Sequence, residues 1–202
     1  QRHDGVVYPK IGYLEVVKAA MEHPHYKAPL EGPNRGRGVA TGYWINYGLT
    51  NTCYISVHDD GAVSCTTGAV DLAGTRTTTA MHVAEVLGIP VEDIRPGVGD
   101  TDTVGWTYYS AGSSVTFSTG WAAYEAANDV KRQLIERVAQ IWDIPVDQVN
   151  FSEGVFNSKA DPARKMTFKE LAGKLSSTGG PITGRFTTPQ YHRGAGGAFS
   201  AH

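Results

Sequence analysis

Residues 68–95 read GAVDLAGTRTTTAMHVAEVLGIPVEDIR and contain most of what decides the fold. A predicted strand ends at Val70, small residues then allow a tight turn, and residues 77–88 return to helical spacing. Gly88, a residue type that commonly ends helices, is followed by Ile-Pro, and residues 94–98 form a short predicted strand. The stretch therefore predicts a strand, a helix and a second strand in succession.

The flanking sequence adds strands before this stretch and a long helix after it. Residues 38–46, 52–58 and 62–70 carry β-branched and aromatic side chains, which predict a meander of three strands. Apolar residues recur every three or four positions through residues 113–142, which predicts a helix with one face packed on a sheet. Strands mixed with helices, without strict alternation, indicate an α+β fold: a mixed or antiparallel sheet with helices packed on one face, as a two-layer sandwich.

Shorter patterns predict the remaining elements and the domain division. The amino-terminal residues 9–23 have the spacing of a short amphipathic helix, and the prolines and glycines of residues 23–37 predict an extended connector. The later elements are a strand with an internal Glu153-Gly154 turn over residues 149–156, a short helix over residues 167–175 and a flexible loop over residues 176–184. We therefore expect a helical arm and linker over residues 1–36 and one compact unit over residues 37–202.

One local pattern occurs twice. LGIPVEDIR at residues 87–95 and WDIPVDQVN at residues 142–150 each close a predicted helix, contain Ile-Pro-Val with a carboxylate, and lead into a strand. The sequence therefore predicts the same connection from a helix to a strand at two places.

Composition and charge exclude several classes of function. The 202 residues include 18 Lys+Arg and 20 Asp+Glu, a net charge of -2, so we expect no nucleic acid partner. Cys53 and Cys65 are too few for a disulfide framework and lack zinc-site spacing, which indicates a reducing compartment. No apolar run approaches the length of about 18 residues that a membrane helix needs, and no signal peptide is evident. We therefore expect no membrane span and a cytoplasmic location. The 24 glycines and a charged fraction of only 19% indicate a bound cofactor or a partner surface.

Two small-residue turns that lead into helices are candidate binding sites. They lie at residues 73–76 and 110–114, each after a predicted strand. A helix N-terminus offers unpaired N–H groups to an anion, so the two turns could converge on one anionic ligand if the strands are neighbours. In the alternative interpretation, Thr and Ser side chains merely cap the helices. The P-loop pattern is missing, so nucleotide hydrolysis is not supported.

Other residue types indicate no further chemistry. Asp100 and Asp102 lack the spacing of a calcium-binding EF-hand. His58, His82 and His192 are scattered, so we interpret them as structural histidines. No nucleophile elbow or Cys/His pair stands out, and no catalytic residue or metal ligand is assigned.

Residues 68–127 resemble the molybdopterin-binding region of the xanthine dehydrogenase and aldehyde oxidoreductase family. The likeness lies in an ordered series of motifs, namely the acidic residue Asp71, AEVLGIP over residues 84–90, GDT over residues 99–101 and SAGSSVT over residues 110–116. The resemblance implies a molybdenum ion held by the dithiolene of a pterin, bound largely by backbone N–H groups and hydroxyls of the two turns. The cofactor-binding residues that it implies are Ala73, Gly74, Thr75 and Arg76 in the first turn, and Ala111, Gly112, Ser113, Ser114 and Thr116 in the second.

The chain departs from the family pattern at two points. The family's G-Q-G, whose glutamine donates to the cofactor, is replaced by Ala73, Gly74 and Thr75, with Arg76 as the substitute donor. The G-x-G-E motif that carries the family's catalytic glutamate does not occur. The resemblance therefore implies that residues 37–202 are a partial molybdopterin cofactor-binding domain, a fragment or split part of a molybdenum hydroxylase that is inactive alone.

The resemblance also implies a reaction and partners. The complete enzyme would oxidise an aldehyde or N-heterocycle, with the cofactor in its plain or its cytosine dinucleotide form. The partners would be the remaining part of the molybdenum subunit, iron-sulfur and FAD subunits or domains, and a small-molecule substrate. Two alternatives stay open: a non-catalytic degenerate homologue or assembly scaffold, and an unrelated phosphate- or nucleotide-binding module.

Overall fold

The computed structural model describes residues 7, 12–99, 102–104, 106–189 and 193–201. The chain divides into two compact units, one of the described residues up to Tyr47 together with Arg193–Ala201, and one of the described residues from 48 to 189. This division falls after Tyr47, whereas the sequence places a boundary between residues 36 and 37. A separate arm over residues 1–36 stays a prediction.

Helices and strands alternate irregularly along the described part of the chain. The helices are α1 (Tyr13–Glu22), α2 (Pro24–Lys27), α3 (Thr75–Leu87), α4 (Gly120–Trp142) and α5 (Phe168–Ala172). The strands are β1 (Thr41–Tyr47), β2 (Thr52–Val57), β3 (Val63–Thr67), β4 (Ile94–Val98), β5 (Val149–Ser152), β6 (Val155–Ser158), β7 (Lys165–Thr167), β8 (Thr183–Thr187) and β9 (Arg193–Ala201). Shorter helical turns are the 3-10 turns Val91–Asp93, Val146–Gln148 and Leu175–Ser177 and the π-helical turn Val115–Thr119.

β1 and β9 form a two-stranded antiparallel sheet in the first unit. The register runs from Thr41 opposite Ala201 to Tyr47 opposite Arg193. The predicted three-strand meander is therefore wrong in its first strand, because β1 pairs with the far end of the chain, whereas β2 and β3 are paired antiparallel as expected. Pairing between segments so distant in sequence leaves no local signal in either of them.

The helical part of the first unit follows the predicted pattern. α1 corresponds to the helix predicted over residues 9–23, and the predicted connector over residues 23–37 contains the short α2. Arg37 fixes the end of the connector, since its guanidinium donates to the carbonyl oxygens of Tyr26 and Ala28, the latter at 2.7 Å. None of the α1 side chains is buried.

The central sheet of the second unit has four strands in the order β4-β3-β2-β8. β2 pairs antiparallel with β3 and with β8, whereas β4 lies parallel to β3 after the crossover through α3. Cys53, Ile55 and Val57 are buried on one face of β2, while Tyr54 between them is partly exposed. α3 and α4 pack on this sheet. The predicted α+β fold, with a mixed sheet and helices on one face in two layers, is confirmed.

β8 begins within residues 176–184, which the sequence predicts as a flexible loop. The structure corrects this, since a 3-10 turn precedes the strand and β8 starts at Thr183. A Cβ on Gly184 would lie 2.5 Å from the Ala126 carbonyl oxygen and 2.7 Å from Val130 Cγ2. The glycine therefore lets α4 lie directly on the strand, and does not serve a loop.

β5, β6 and β7 form a small antiparallel sheet. The predicted turn at Glu153 and Gly154 is confirmed, with φ of 50° and 70°, and it joins β5 to β6. The helix predicted over residues 167–175 is the shorter α5. It begins with a capping box in which the side chains of Thr167 and Glu170 each accept the other's backbone N–H.

The long predicted helix over residues 113–142 consists of the π-helical turn followed by α4. Its regularly spaced apolar residues are buried, among them Val130 and Leu134. Gly120 is the crossing point with α3, because a Cβ there would lie 2.9 Å from His82 Cε1. No helix in the described ranges is both long and apolar enough to span a bilayer.

Candidate functional site

The two candidate turns follow neighbouring parallel strands. β3 and β4 are paired in register, with Thr67 opposite Val98 at their carboxyl ends, and the Gly99 N–H donates to the Thr67 carbonyl oxygen at 3.2 Å. Both strands therefore end at one edge of the sheet. The segment after β3 leads through the first turn into α3, and the segment after β4 leads through the second turn into the π-helical turn and α4. In open, mostly parallel sheets, ligands bind outside the carboxyl ends of the strands.

The first turn ends in a helix start without a side-chain cap. Gly74 is the N-cap residue, with φ of 93°, and has no side chain with which to cap. The Thr75 hydroxyl and N–H both donate to the Leu72 carbonyl oxygen, at 2.7 and 2.8 Å. The predicted threonine cap is therefore wrong, and the N–H groups of Arg76 and Thr77 have neither an intrahelical acceptor nor a cap. These two donors are free to bind an anion.

Arg76 is engaged within its own turn. Its Nε lies 2.7 Å from Asp71 Oδ2, and the two side chains are 55% and 43% exposed. A surface ion pair of this kind contributes little to stability, so the guanidinium remains exchangeable between Asp71 and another anion. Asp71, the acidic residue that ends the segment after β3, thus holds Arg76 beside the uncapped helix start.

The second turn has an unusual backbone. Gly112 and Ser113 are successive residues with φ of 57° and 59°, and the Ser114 N–H donates to the Ala111 carbonyl oxygen at 3.1 Å. Ser114 is the N-cap residue of the π-helical turn, and its side chain is buried and makes no capping hydrogen bond. Thr116 is exposed two residues further on. π-helical turns are rare and are frequent at functional sites.

The segment between β4 and the second turn is anchored to the start of β2. The Thr52 hydroxyl donates to the Trp106 carbonyl oxygen at 2.8 Å, and the Tyr108 N–H donates to the Thr50 carbonyl oxygen at 2.8 Å. Thr107 lies against Gly68, where a Cβ would be 2.7 Å from the Thr107 hydroxyl oxygen. That hydroxyl is buried and has no hydrogen-bond partner within the described structure. These contacts hold the segment beside the residues that leave β3.

A buried polar network supports the helix that follows. The Thr119 hydroxyl donates to Asn51 Oδ1 at 3.1 Å, and Ser118 Oγ accepts the Leu49 N–H at 3.2 Å. The Asn51 N–H in turn donates to the Thr188 hydroxyl oxygen at 2.9 Å. Buried polar groups with satisfied hydrogen bonds fix one arrangement of the backbone. The sequence pattern did not predict this network, because its members lie far apart in the chain.

Further titratable side chains of this unit include His58, His82 and the two cysteines. His58 Nε2 lies 2.6 Å from Ser64 Oγ, and His82 Nδ1 is bonded to a backbone carbonyl oxygen, so both histidines have partners within the fold. Cys53 and Cys65 are free thiols with sulfur atoms 3.3 Å apart in the core. The hydrogen bond with Cys65, together with burial, holds the pKa of the Cys53 thiol well above its ordinary value.

The donors at this edge fit an anionic cofactor. They comprise uncapped N–H groups, small residues that allow close approach, and an arginine held at the surface. Over the ranges that the structure describes, no three His, Cys, Asp or Glu side chains group as metal ligands. Asp100 and Thr101 of the GDT motif, and His192, lie outside the described residues.

The chain is similar to parts of several oxidoreductases. It is 29% identical over 129 residues to the carbon monoxide dehydrogenase large chain of Afipia carboxidovorans, covering 63% of this chain and 16% of that protein. It is 31% identical over 145 residues to the probable hypoxanthine oxidase XdhD of Escherichia coli, covering 68% of this chain and 15% of that protein. The chain thus spans about a sixth of the length of these relatives.

Solved structures share the fold, and a family model covers nearly all of the chain. Quinoline 2-oxidoreductase from Pseudomonas putida 86 matches 100% of this chain and 29% of its own, at a TM-score of 0.79 and 16% identity. CO dehydrogenase from Oligotropha carboxidovorans matches 77% of this chain and 22% of its own, at a TM-score of 0.68 and 23% identity. The model of the molybdopterin cofactor-binding domain matches residues 9–201. The chain therefore belongs to the molybdopterin cofactor-binding domains of the xanthine dehydrogenase and aldehyde oxidoreductase family.

Proposed function

We propose that the two turns at the shared edge of the sheet hold molybdopterin within a molybdenum hydroxylase. The observation that carries this proposal is the uncapped start of α3, which follows a strand adjacent and parallel to the strand that leads to the second turn, in a chain of this family. The residues that would hold the cofactor are Ala73, Gly74, Thr75 and Arg76 in the first turn and Ala111, Gly112, Ser113, Ser114 and Thr116 in the second.

The contribution of these residues is binding and orientation. The N–H groups of Arg76 and Thr77 and the positive end of α3 would receive the phosphate of the cofactor, with Arg76 released from Asp71 to take part. The second turn would present N–H groups and the Thr116 hydroxyl to the polar edge of the pterin. When bound, the cofactor supplies a molybdenum centre for the oxidation of substrate. No proton transfer is assigned to residues of this chain.

The complete enzyme would need further protein. Because the chain spans about a sixth of its relatives, we propose that the rest of a molybdenum subunit encloses the other side of the cofactor and provides the catalytic glutamate and the substrate pocket. Iron-sulfur and FAD subunits or domains would carry the electrons away. The substrate class would be an aldehyde or N-heterocycle, and the cofactor would be plain molybdopterin or its cytosine dinucleotide.

Cofactor content of a turn variant tests the proposal. Gly112→Val adds a branched side chain at φ of 57° in the second turn, and we expect the molybdenum and pterin content per protein to fall at least about fivefold. Gly180→Val is the matched control, since Gly180 also has positive φ, at 89°, and no other atom lies within 4 Å of a Cβ there. The control should lose similar stability and keep its cofactor. Equal cofactor content in both variants would contradict a role for the second turn.

A non-catalytic homologue or assembly scaffold is the second candidate. It is favoured by the replacement of the family's G-Q-G with Ala73, Gly74 and Thr75, which removes the glutamine donor. Stoichiometric molybdenum in the purified wild-type protein would contradict the scaffold. Its absence, after expression with a full cofactor supply, would contradict the enzyme.

A further inference from the structure

Two aromatic side chains that precede the second turn in the chain are largely exposed to solvent. Trp106 is 69% exposed and Tyr109 is 67% exposed, well above the next most exposed aromatic residue described in this unit, Tyr124 at 46%. Tyr108 connects them, since its ring centroid lies 6.3 Å from that of Trp106 in an edge arrangement and 4.6 Å from that of Tyr109. The three rings form one continuous aromatic surface, here called the aromatic platform.

The backbone beneath the platform is fixed. The Trp106 carbonyl oxygen and the Tyr108 N–H are hydrogen-bonded to Thr52 and Thr50, both at 2.8 Å, and Thr107 between them lies against Gly68. The backbone of residues 106–108 is therefore bonded to the folded unit, while the rings of Trp106 and Tyr109 remain exposed. Such a fixed display of large apolar side chains to water marks a binding surface.

The position of the platform indicates what it binds. Thr107, which lies between the first two platform residues, packs against Gly68, where the chain leaves β3 towards the first turn. The last platform residue, Tyr109, directly precedes the second turn at residues 110–114. The turn proposed to hold the phosphate thus precedes the platform in the chain, and the turn proposed to hold the polar edge of the pterin follows it. A ligand that is anionic at one end and a flat heterocycle at the other would match both kinds of group, because flat heterocycles stack favourably on aromatic side chains.

We propose that Trp106 stacks on the pterin ring of the cofactor, with Tyr108 and Tyr109 supporting its orientation. The inference rests on the proposed function and adds an apolar contact to the ring, where the family-derived residues supply only polar contacts. A second protein surface covering the platform is the competing explanation. It predicts that Trp106 is shielded whether or not the cofactor is present.

The test uses the protein purified from a host that makes molybdopterin and from one that does not. Trp106→Ala, Trp106→Phe and the control Tyr124→Ala are compared with the wild type for the rate at which molybdenum and pterin are lost during dialysis. Acrylamide quenching of Trp106 emission, obtained by subtracting the Trp106→Phe signal, is measured in both preparations. The side chains of Trp106 and Tyr124 are both substantially exposed, so neither alanine variant should impair folding.

We expect Trp106→Ala to lose the cofactor about tenfold faster than the wild type, because stacking of one ring has about this effect. Trp106→Phe should stay within about twofold of the wild type, Tyr124→Ala should be unchanged, and the cofactor should reduce quenching of Trp106 several-fold. Equal retention in Trp106→Ala and wild type, or equal quenching with and without cofactor, would overturn the inference. If Gly112→Val loses cofactor and Trp106→Ala does not, only this inference fails. A wild type without molybdenum and pterin overturns the proposed function and this inference together.

Discussion

The two connections from a helix to a strand, at residues 87–95 and 142–150, have nearly the same backbone. The C-cap residue of α3 is Gly88, with φ of 60°, and that of α4 is Asp143, with φ of 53°. In both, the next residue is an isoleucine that donates its N–H to a carbonyl oxygen five residues earlier. The prolines that follow have φ of -57° and -58°, and each begins a 3-10 turn. Repeated sequence has therefore produced repeated local geometry.

The surroundings of the two connections differ. A Cβ on Gly88 would lie 2.7 Å from Glu153 Cα and closer still to the Gly154 nitrogen, because the end of α3 packs backbone to backbone against the turn between β5 and β6. Asp143 has the same left-handed conformation but is exposed. The strands that follow also diverge, since β4 joins the central sheet in parallel and β5 begins a separate antiparallel sheet. The local sequence pattern determines the conformation of the turn in both connections. Close packing against the turn between β5 and β6 is what leaves no room for a side chain at Gly88.

The largest expected difference between the connections is the effect of a methyl group at Gly88. Gly88→Ala should lower the free energy of unfolding by about 3 kcal/mol or more, because the new Cβ meets backbone that cannot move aside and φ is positive. Urea denaturation measures the change. Gly173→Ala is the control, because φ there is -64° and the nearest atoms to an added Cβ, the Asp59 and Lys169 carbonyl oxygens, lie 3.7 Å away. It should change stability by less than about 1 kcal/mol. Similar losses in both variants would show that the contact between Gly88 and Gly154 is not tight.

A smaller effect is expected when the second connection is made more like the first. Asp143→Gly should raise the free energy of unfolding by about 0.5 kcal/mol, because relief of the left-handed conformation exceeds the entropy cost of glycine. The same denaturation series measures it. A loss of stability would indicate that the Asp143 side chain makes a contribution of its own, and that the two connections differ in more than packing.

The smallest expected effect concerns the second residue of the strand that follows each connection. This residue is Arg95 in β4 and Asn150 in β5. Arg95 lies 2.9 Å from Asp60, whose pKa is lowered by the Ala62 N–H and by this guanidinium. A carboxylate with lowered pKa stabilises the fold above its unfolded-state pKa of about 3.9, and the contribution is lost as the pH falls through the folded-state pKa. Asp60→Asn should therefore lower Tm by about 1 °C at pH 7.

Thermal unfolding across pH checks this last prediction. The difference between Asp60→Asn and the wild type should disappear below the folded-state pKa of Asp60, where the wild-type carboxyl is also neutral. Asn150→Asp, at the position of the second connection that corresponds to Arg95, is the control. A Tm difference that persists in acid would show that the Asp60 side chain acts through its shape and not its charge.

Local elements of the fold could be predicted from sequence, and long-range pairings could not. The helix over residues 77–88, the turn at Glu153 and Gly154, and the two connections depend on neighbouring residues, and the structure contains them. The pairing of β1 with β9 joins segments about 150 residues apart, and β8 is short and begins beside glycines that resemble a loop. These features depend on which surfaces meet in three dimensions, which no window of sequence records.

The candidate site divides in the same way. Small residues and hydroxyls predicted the positions of both turns, but not that Gly74 replaces a threonine cap or that Asp71 engages Arg76. The platform around Trp106 was missed, although three aromatic residues within four positions beside a glycine-rich turn were a visible signal. The strands that precede the two turns are adjacent and parallel, and that adjacency became visible only with the structure.

The π-helical turn Val115–Thr119 lies between the second turn and α4, so the direction of the N–H groups in the second turn can change independently of the packing of α4. Each α-helical residue advances the chain by 1.5 Å and rotates it by about 100°. Removal of one residue from the wide turn would restore ordinary helical winding, and would swing the preceding segment by about that angle while α4 kept its buried face. Insertion or deletion of one residue could thus redirect the N–H groups of the second turn without disturbing the core. Such changes of length would let the orientation of a bound ligand evolve separately from the fold.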